Sequence, residues 1–235
     1  MVGRRGAENG SAAGGRRFSA CILDFDGVIA DTEPLHAEAK RRTLDRYGIG
    51  YPPTIFDAFK GRTDVDFFDY VAAELGPRGH ESSVLLEAKR REYLTLFEEV
   101  QLMPGFTTFL PLARRRFERL GIATSATLHD FELVAKRFDF AGSIDAVVTS
   151  DDTTRFKPDP EPYLVALERL GVEADAALVV EDSPNGVRSA VAAGTFVVGL
   201  DTAFPRRELE VAGAHLVLSG FGELSGRLDA IVAGA

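Results

Sequence analysis

The chain has 235 residues, 45% of them hydrophobic, enough for a real core and for one or two domains. Lysine and arginine total 27 against 36 aspartates and glutamates, a formal charge of −9 that argues against a nucleic-acid or anionic-membrane surface and for a small diffusible ligand. A single cysteine, Cys21, excludes an internal disulfide framework and a cysteine-cage metal site; its place in an apolar run predicts burial and suits a reducing, cytoplasmic setting.

In chain order, "MVGRRGAENGSAAGGRR" (1–17) is rich in Gly, Ala and Arg and lacks the apolar segment of a signal peptide, so it reads as a disordered tail. No run approaches the ~18 apolar residues needed to span a bilayer. From Ser19 short apolar runs alternate with longer amphipathic stretches, the pattern of helices covering a parallel sheet. The runs "ACILDF" (20–25), "LGIATS" (120–125), "DAVVTS" (145–150), "ALVVED" (177–182), "FVVGL" (196–200) and "HLVL" (215–218) look like strands buried on both faces. Helices are predicted over 105–119, 130–138, 160–170, 184–193 and 206–212. In the third, "DPEP" offers Asp159 as N-cap and Pro160 as the first helical residue. The fold class that follows is α/β, a Rossmann-like parallel sheet with helices on both faces.

The interval between the first two strand runs breaks this rhythm, being far longer than a single crossover needs. Residues 34–103 read as several amphipathic helices, among them "HAEAKRRTLDRYG" and "SSVLLEAKRREYLTLFEEV". We expect an inserted small helical cap domain over 34–103 and a core domain made of 18–33 and 104–235. Leaving after an acidic strand end and returning near "MPGF" (103–106), the insertion should sit above the carboxyl edge of the sheet, where open α/β sheets bind ligands.

"ILDFDGVIADTEPLH" (22–36) runs an apolar strand straight into Asp24 and Asp26, two carboxylates that repel each other. A cation resolves that conflict, and so does a reaction that needs one of them as a nucleophile. Other strands end in Ser125 and in Glu181 with Asp182, and Lys157 follows the third in "RFKPDP". Each has a plain structural reading. Asp-x-Asp is often a solvated turn, Ser125 with Ala126 and Thr127 a loop, and Lys157 a surface lysine before an extended turn. "EDSPNG" (181–186) is a good helix start, with Ser183 capping and Pro184 first. Caps and turns do not, however, require four carboxylates, a hydroxyl and a lysine at one edge beneath an insertion. Oxygen-only donors select a hard cation, and a few carboxylates with water and a substrate phosphate suit Mg²⁺ better than zinc.

"DFDGVIADTEPLH", "IATSAT", "RFKPDPEPY" and "VVEDSPNGVRSAVAAG", in this order and spacing, resemble the four motifs of the haloacid-dehalogenase-like hydrolase superfamily, and within it the β-phosphoglucomutase-like phosphatase group. The resemblance covers about 19–222, with motif identity in the core and general similarity in the inserted helices. It implies that Asp24 is a nucleophile forming an aspartyl phosphate, and that Asp26 protonates the leaving oxygen and then deprotonates water. Ser125 and Lys157 would bind phosphoryl oxygens, Lys157 also keeping Asp24 ionised. Asp24, the Asp26 backbone carbonyl and Asp182 with Glu181 beside it would hold Mg²⁺. Ala126 and Thr127 join Ser125 as candidate substrate-binding positions, and so do Glu33 and His36 beside the first motif; for His36 a structural role weighs equally.

Two departures stand out. The residue before the motif lysine is Phe156 where the family usually has glycine, which narrows the entrance or shifts the loop. In "FKGRTDVDFF" (59–68), aligning Lys60 and Gly61 places Asp64 where true β-phosphoglucomutases carry an arginine for a second phosphate. An acid there favours hydrolysis over mutase action, and Arg62 is the substitute if the register differs. The expected activity is thus Mg²⁺-dependent hydrolysis of a small phosphorylated metabolite, a sugar phosphate first among them. Its rivals are a phosphomutase, a phosphonate hydrolase using Lys60 as a Schiff base, and, from another class, a phospho-aspartate signalling receiver, which is about half this length and lacks the insertion. His80, His129 and His215 show no metal-ligand spacing. G-x-S-x-G, the P-loop pattern and H-E-x-x-H are absent.

Overall fold

The computed structural model describes residues 18–59, 63–76 and 80–234, so the tail read as disordered lies outside the described residues. Strand β1 (Ala20–Leu23) is followed by a two-residue strand, β2 (Ala30–Asp31). Helices α1 (Glu33–Arg46), α2 (Ile55–Ala58), α3 (Asp64–Tyr70, continued by a π turn Val71–Leu75) and α4 (Ser82–Leu96) come next, and β3 (Gln101–Leu102) closes the insertion. The chain then alternates through α5 (Phe106–Arg116), β4 (Arg119–Ala123), α6 (Leu128–Phe138), β5 (Ala146–Val148), α7 (Glu161–Leu170) and β6 (Ala177–Glu181). It ends with α8 (Pro184–Ala192), β7 (Phe196–Leu200), α9 (Arg206–Ala212), β8 (Leu216–Leu218) and α10 (Phe221–Ala233).

Six strands form one parallel sheet in the order β5-β4-β1-β6-β7-β8. From β1 the chain builds outward through β4 and β5, then crosses back and builds the other way through β6, β7 and β8. The reversal falls between β1 and β6, and at such a switch point the crossover loops part to leave a crevice at the carboxyl ends of the strands. Alternate strand residues explain why the runs are unbroken in hydrophobicity. Cys21 and Leu23 enter one apolar cluster with Phe109, Phe131 and Leu224 of α5, α6 and α10, whereas Ala20 and Ile22 enter a second with Tyr163, Val187 and Leu209 of α7, α8 and α9. Both faces are dry, and each large apolar side chain so buried contributes about 1.5–3 kcal/mol.

Several boundaries differ from the sequence reading. Helix α5 stops at Arg116 because Phe117 is extended and Arg119 already pairs with Ala20, drawing the chain into β4. Helix α7 starts at Glu161 with Pro160 at its cap, although Asp159 Oδ1 still accepts from the Glu161 N–H at 3.0 Å. Strands β1 and β4 end at Leu23 and Ala123, so Asp24 and Ser125 lie just past the ladder rather than within it. Two elements had not been foreseen. One is α10; the other is the antiparallel ribbon of β2 and β3, Ala30 opposite Leu102 and Asp31 opposite Gln101, which pins together the two chain crossings into the insertion. Inside the insertion, Leu44, Phe67, Phe68 and Leu85 of α1, α3 and α4 share an apolar cluster of their own. No helix among the described residues is long and apolar enough to cross a membrane.

Candidate active site

Lys157 ties three strand ends together. Its Nζ donates to Asp24 Oδ1 at 2.5 Å after β1, to Glu181 Oε1 at 2.7 Å at the end of β6, and to the Ala123 carbonyl at 2.9 Å at the end of β4. Glu181 is in turn fully engaged. Oε1 also accepts from the Tyr163 hydroxyl at 2.7 Å, and Oε2 accepts from Asp182 N, Ser183 N and Ser183 Oγ at 3.1, 3.2 and 3.2 Å. The start of α8 is pressed against this carboxylate, since a Cβ on Gly186 would lie 1.7 Å from Glu181 Oε1. Ser183 caps that helix, accepting from Gly186 N at 3.0 Å, with Pro184 in its first turn. The "EDSPNG" stretch is therefore a helix start and part of the charged cluster at once.

Asp26 enters from the turn after β1. Gly27 takes a left-handed φ of 76° and donates to the Ala30 carbonyl at 2.8 Å, folding the turn back towards β2. A Cβ at Gly27 would stand 2.0 Å from Asp182 Oδ2, so only glycine lets this turn lie against Asp182. Thr32 donates its hydroxyl to Asp26 Oδ1 at 2.6 Å, and Thr124 Oγ1 stands 3.5 Å from Oδ2. Ser125 is exposed on the loop after β4. There Ala126 N donates to Thr124 Oγ1 at 2.9 Å, and Thr127 caps α6 by accepting from Asp130 N at 3.2 Å.

Two carboxylates, Asp24 and Glu181, thus hold one ammonium, and the charges of Asp26 and Asp182 act on the same cluster. Burial, reinforced by Glu181 and Asp26 and opposed by Lys157, pushes Asp24 up to about 8. Burial and the charges of Asp24 and Glu181 hold Asp182 well above the usual carboxylate range. Asp26 is also raised, burial outweighing the Thr32 hydrogen bond. Burial disfavours the Lys157 ammonium, but Asp24 and Glu181 outweigh it and drive its pKa up. Asp24, Glu181 and Asp182 each bring a carboxylate oxygen within 4.8 Å of the others, so the donor set suits a hard divalent cation. No hydrogen bond from a described residue reaches the Asp182 carboxylate, which leaves its oxygens open to such an ion.

A cleft of about 1030 Å³ opens over this cluster, lined on the sheet side by Asp26, Ser125, Ala126, Thr127 and Lys157. Its helical wall includes Glu33, His36, Lys40, Asp64 and Lys89. Phe156 stands at the cleft 53% exposed, a large ring held out in solvent beside Lys157. His36 stacks on Tyr93 with ring centroids 4.4 Å apart, and its Nδ1 lies 2.7 Å from Lys89 Nζ. Lys60 and Arg62 lie outside the described residues.

Residues 21–200 match the sequence profile of the haloacid dehalogenase-like hydrolases. The chain belongs to that family. The phosphorylated carbohydrates phosphatase of Thermotoga maritima is 33% identical to this hydrolase over 180 residues, spanning 75% of this chain and 82% of its own. The validoxylamine A 7'-phosphate phosphatase of Streptomyces hygroscopicus subsp. limoneus is 30% identical over 200 residues, 85% of this chain and 93% of the relative. Among solved structures, CbbY from Rhodobacter sphaeroides in complex with phosphate superposes with a TM-score of 0.76 at 28% identity, covering 88% of this chain and 96% of that one.

Of the sequence-derived candidates, the structure of this hydrolase brings Asp24, Lys157, Glu181 and Asp182 into one cluster with Asp26 beside it. Ser125, Ala126, Thr127, Glu33 and His36 line the cleft above. Three further participants had escaped notice. Thr32 and Tyr163 fall inside the quoted motifs "DTEPLH" and "PDPEPY" and were legible there as hydroxyls next to the charged residues. Lys89 gave no signal, because a lysine in "EAKRREY" reads as the solvated face of a helix, whereas it is buried against His36 and Asp64.

Proposed function

We propose that this hydrolase is a Mg²⁺-dependent phosphatase that acts on small phosphorylated metabolites, sugar phosphates in particular, through an aspartyl-phosphate intermediate. The observation that carries the reading is the Lys157 bridge: an ammonium fixed between Asp24 and Glu181 at the sheet's switch point, on the floor of a cleft large enough for a sugar phosphate. Relatives named for phosphorylated carbohydrates and for validoxylamine A 7'-phosphate support the substrate class. We read 34–103 as a cap over a core of 18–33 and 104–235, its closure excluding bulk water.

In the first half-reaction Asp24 attacks phosphorus, the new Asp24–phosphorus bond forming as the bond to the ester oxygen breaks. Asp26, oriented by Thr32, gives its proton to the departing alkoxide; burial raises its pKa, in the direction that favours the acid form this step uses. In the second half-reaction water attacks the same phosphorus. Asp26 takes the water's proton, and the Asp24–phosphorus bond breaks to return the carboxylate and inorganic phosphate. Lys157 opposes the burial that raises Asp24, favouring its carboxylate, and occupies Oδ1, leaving Oδ2 for the attack. Ser125, with Ala126 and Thr127, holds phosphoryl oxygens. Asp24, Asp182 and the Asp26 backbone carbonyl would hold Mg²⁺, which would supply charge neutralisation at the phosphoryl group. Glu181, which accepts from Lys157, Tyr163 and Ser183, positions Lys157 and sets its carboxylate beside Asp24 and Asp182 at the ion site.

A screen of phosphorylated metabolites for phosphate release with Mg²⁺ tests the reading. Wild type is expected to turn over many times per protein, and Asp24→Asn to lose at least about three orders of magnitude in kcat. Equal turnover by the two would remove Asp24 as nucleophile.

A further inference from the structure

Phe156 is the one phenylalanine left exposed among the described residues, and it lines the cleft directly before Lys157. No other ring among the described residues stacks on it. Its exposure is not the slack of a loose loop. Thr154 N donates to Glu161 Oε1 at 2.8 Å, Arg155 Nε to Glu161 Oε2 at 2.9 Å, and Asp159 N to the Phe156 carbonyl at 2.9 Å. Arg155 also pairs with Asp159 Oδ2 at 3.2 Å, and on the other side Lys157 is held by Asp24 and Glu181. The chain is thus braced before and after a ring that the fold leaves half uncovered. Of the other exposed large apolar side chains only Val65, at the start of α3 on the helical wall, lines the same cleft. The cleft also offers the carboxylates of Glu33 and Asp64 and the hydroxyls of Ser150 and Thr202. Single apolar side chains scattered over a surface are ordinary, whereas a fixed ring beside the ammonium of a concave site is the kind of group such sites use to hold a ligand's body.

We propose that Phe156 is a specificity-determining residue whose ring is the platform for the cyclic body of a phosphate ester, selecting ring-bearing esters such as hexose phosphates over acyclic ones. The inference rests on the phosphatase reading for where the phosphate sits. With the phosphoryl group at Asp24 and Lys157, the body of the ester lies within the cleft that Phe156 lines. A pyranose presents a face of C–H groups and a rim of hydroxyls. The face covers the phenyl ring and takes apolar surface of both out of water, while the rim hydrogen-bonds to the carboxylates and hydroxyls of the cleft. An acyclic polyol phosphate can make the polar contacts but has no preformed face to lay on the ring, and it loses more conformational freedom on binding.

The test compares binding of glucose 6-phosphate and glycerol 3-phosphate, with Mg²⁺, by calorimetry on the full chain in an Asp24→Asn background that consumes neither. Both carry one phosphate on a primary alcohol and an uncharged body, and they differ in the ring. With Phe156 present the hexose phosphate is expected to bind more tightly. Phe156→Ala is expected to weaken the hexose phosphate at least about fivefold and glycerol 3-phosphate less than about twofold. Phe156→Tyr, which keeps the ring, is expected to leave both within about twofold of the parent. Phe156→Leu, which keeps apolar bulk without a flat face, is expected to weaken the hexose phosphate selectively, and serves alone if Phe156→Ala does not fold. Equal weakening of the two ligands would make Phe156 a support for Lys157, or for a closed cap through Val65, and would overturn the proposal. An unchanged hexose phosphate affinity in the folded variants, tighter binding of glycerol 3-phosphate by the parent, or no binding of either ligand would overturn it too. Phosphate release by the wild-type enzyme across the metabolite screen is a separate readout. Its failure would reject the phosphatase reading while leaving the two affinities to decide the role of Phe156.

Discussion

Tyr163 and Lys157 meet on one carboxylate oxygen, Glu181 Oε1, each 2.7 Å from it, and the ammonium also stands 4.9 Å from the centre of the tyrosine ring. The sheet thereby positions its key lysine from behind: Tyr163, wholly buried on α7, orients Glu181, and Glu181 with Asp24 orients Lys157. Tyr163→Phe keeps the ring and removes one hydrogen bond to a charged acceptor. It is expected to lower stability by about 1.5–3 kcal/mol, read from the urea midpoint. Turnover should fall with little change in KM, because the lysine is loosened and the substrate wall is untouched. An unchanged urea midpoint would show that the hydroxyl bond contributes nothing net.

The close approach of α8 to Glu181 makes a sharper prediction. Gly186→Ala places a methyl group 1.7 Å from a buried oxygen that has five donors around it, counting both oxygens of the carboxylate. Overpacking of this kind costs about 1–3 kcal/mol and occasionally more, and here it also displaces Lys157, so turnover should fall by at least about tenfold. Gly226→Ala in α10, where an added methyl meets nothing within 4 Å, is the control. It is expected to stabilise by about 0.5–1 kcal/mol through helix propensity, leaving turnover unaltered. Equal thermal midpoints for the two variants would contradict the packing argument.

The crowded carboxylates set a pH dependence. With a folded-state pKa of about 8 against an unfolded value near 4, Asp24 binds a proton more tightly in the native protein. Stability from this group is full below about pH 4 and declines as pH rises through about 8, because the native state must then hold a buried charge beside Glu181 and Asp26 that Lys157 offsets only in part. Asp26 and Asp182 shift in the same direction. The melting temperature of metal-free protein should therefore fall between about pH 4 and pH 8 and level off above. Added Mg²⁺ should raise it, most at the alkaline end where the carboxylates are ionised and bind the ion best. Asp24→Asn should flatten the metal-free slope. A metal-free melting temperature that is level across this range, or equal stabilisation by Mg²⁺ at both ends, would remove the carboxylate cluster as its cause.

Much of the architecture was legible because its causes are local. Six apolar runs flanked by amphipathic stretches can satisfy their backbones and bury both faces only as a parallel sheet with covering helices, and the six runs match β1 and β4 to β8 to within a few residues. Boundaries slipped where a distant partner decided them: α5 ends at Arg116 because Arg119 is claimed by Ala20, nearly one hundred residues earlier in the chain. The ribbon of β2 and β3 was illegible because two residues have no periodicity to read, and their pairing depends on the whole insertion folding between them.

The same division holds at the site. Residue types and their order named Asp24, Asp26, Ser125, Lys157 and Asp182 as candidates, since an acidic pair at a strand end and a lysine before Pro-Asp-Pro are visible without coordinates. What those side chains do to one another depends on distances across the sheet. Only the tertiary structure put Lys157 between Asp24 and Glu181, turned Glu181 into a fully bonded support, and gave Asp64 two lysines to hold. The reason is physical. Hydrophobic patterning acts along a strand or helix and is written in neighbouring residues, whereas hydrogen bonds and charge pairing act over a few ångströms, between groups that only the completed fold brings within reach.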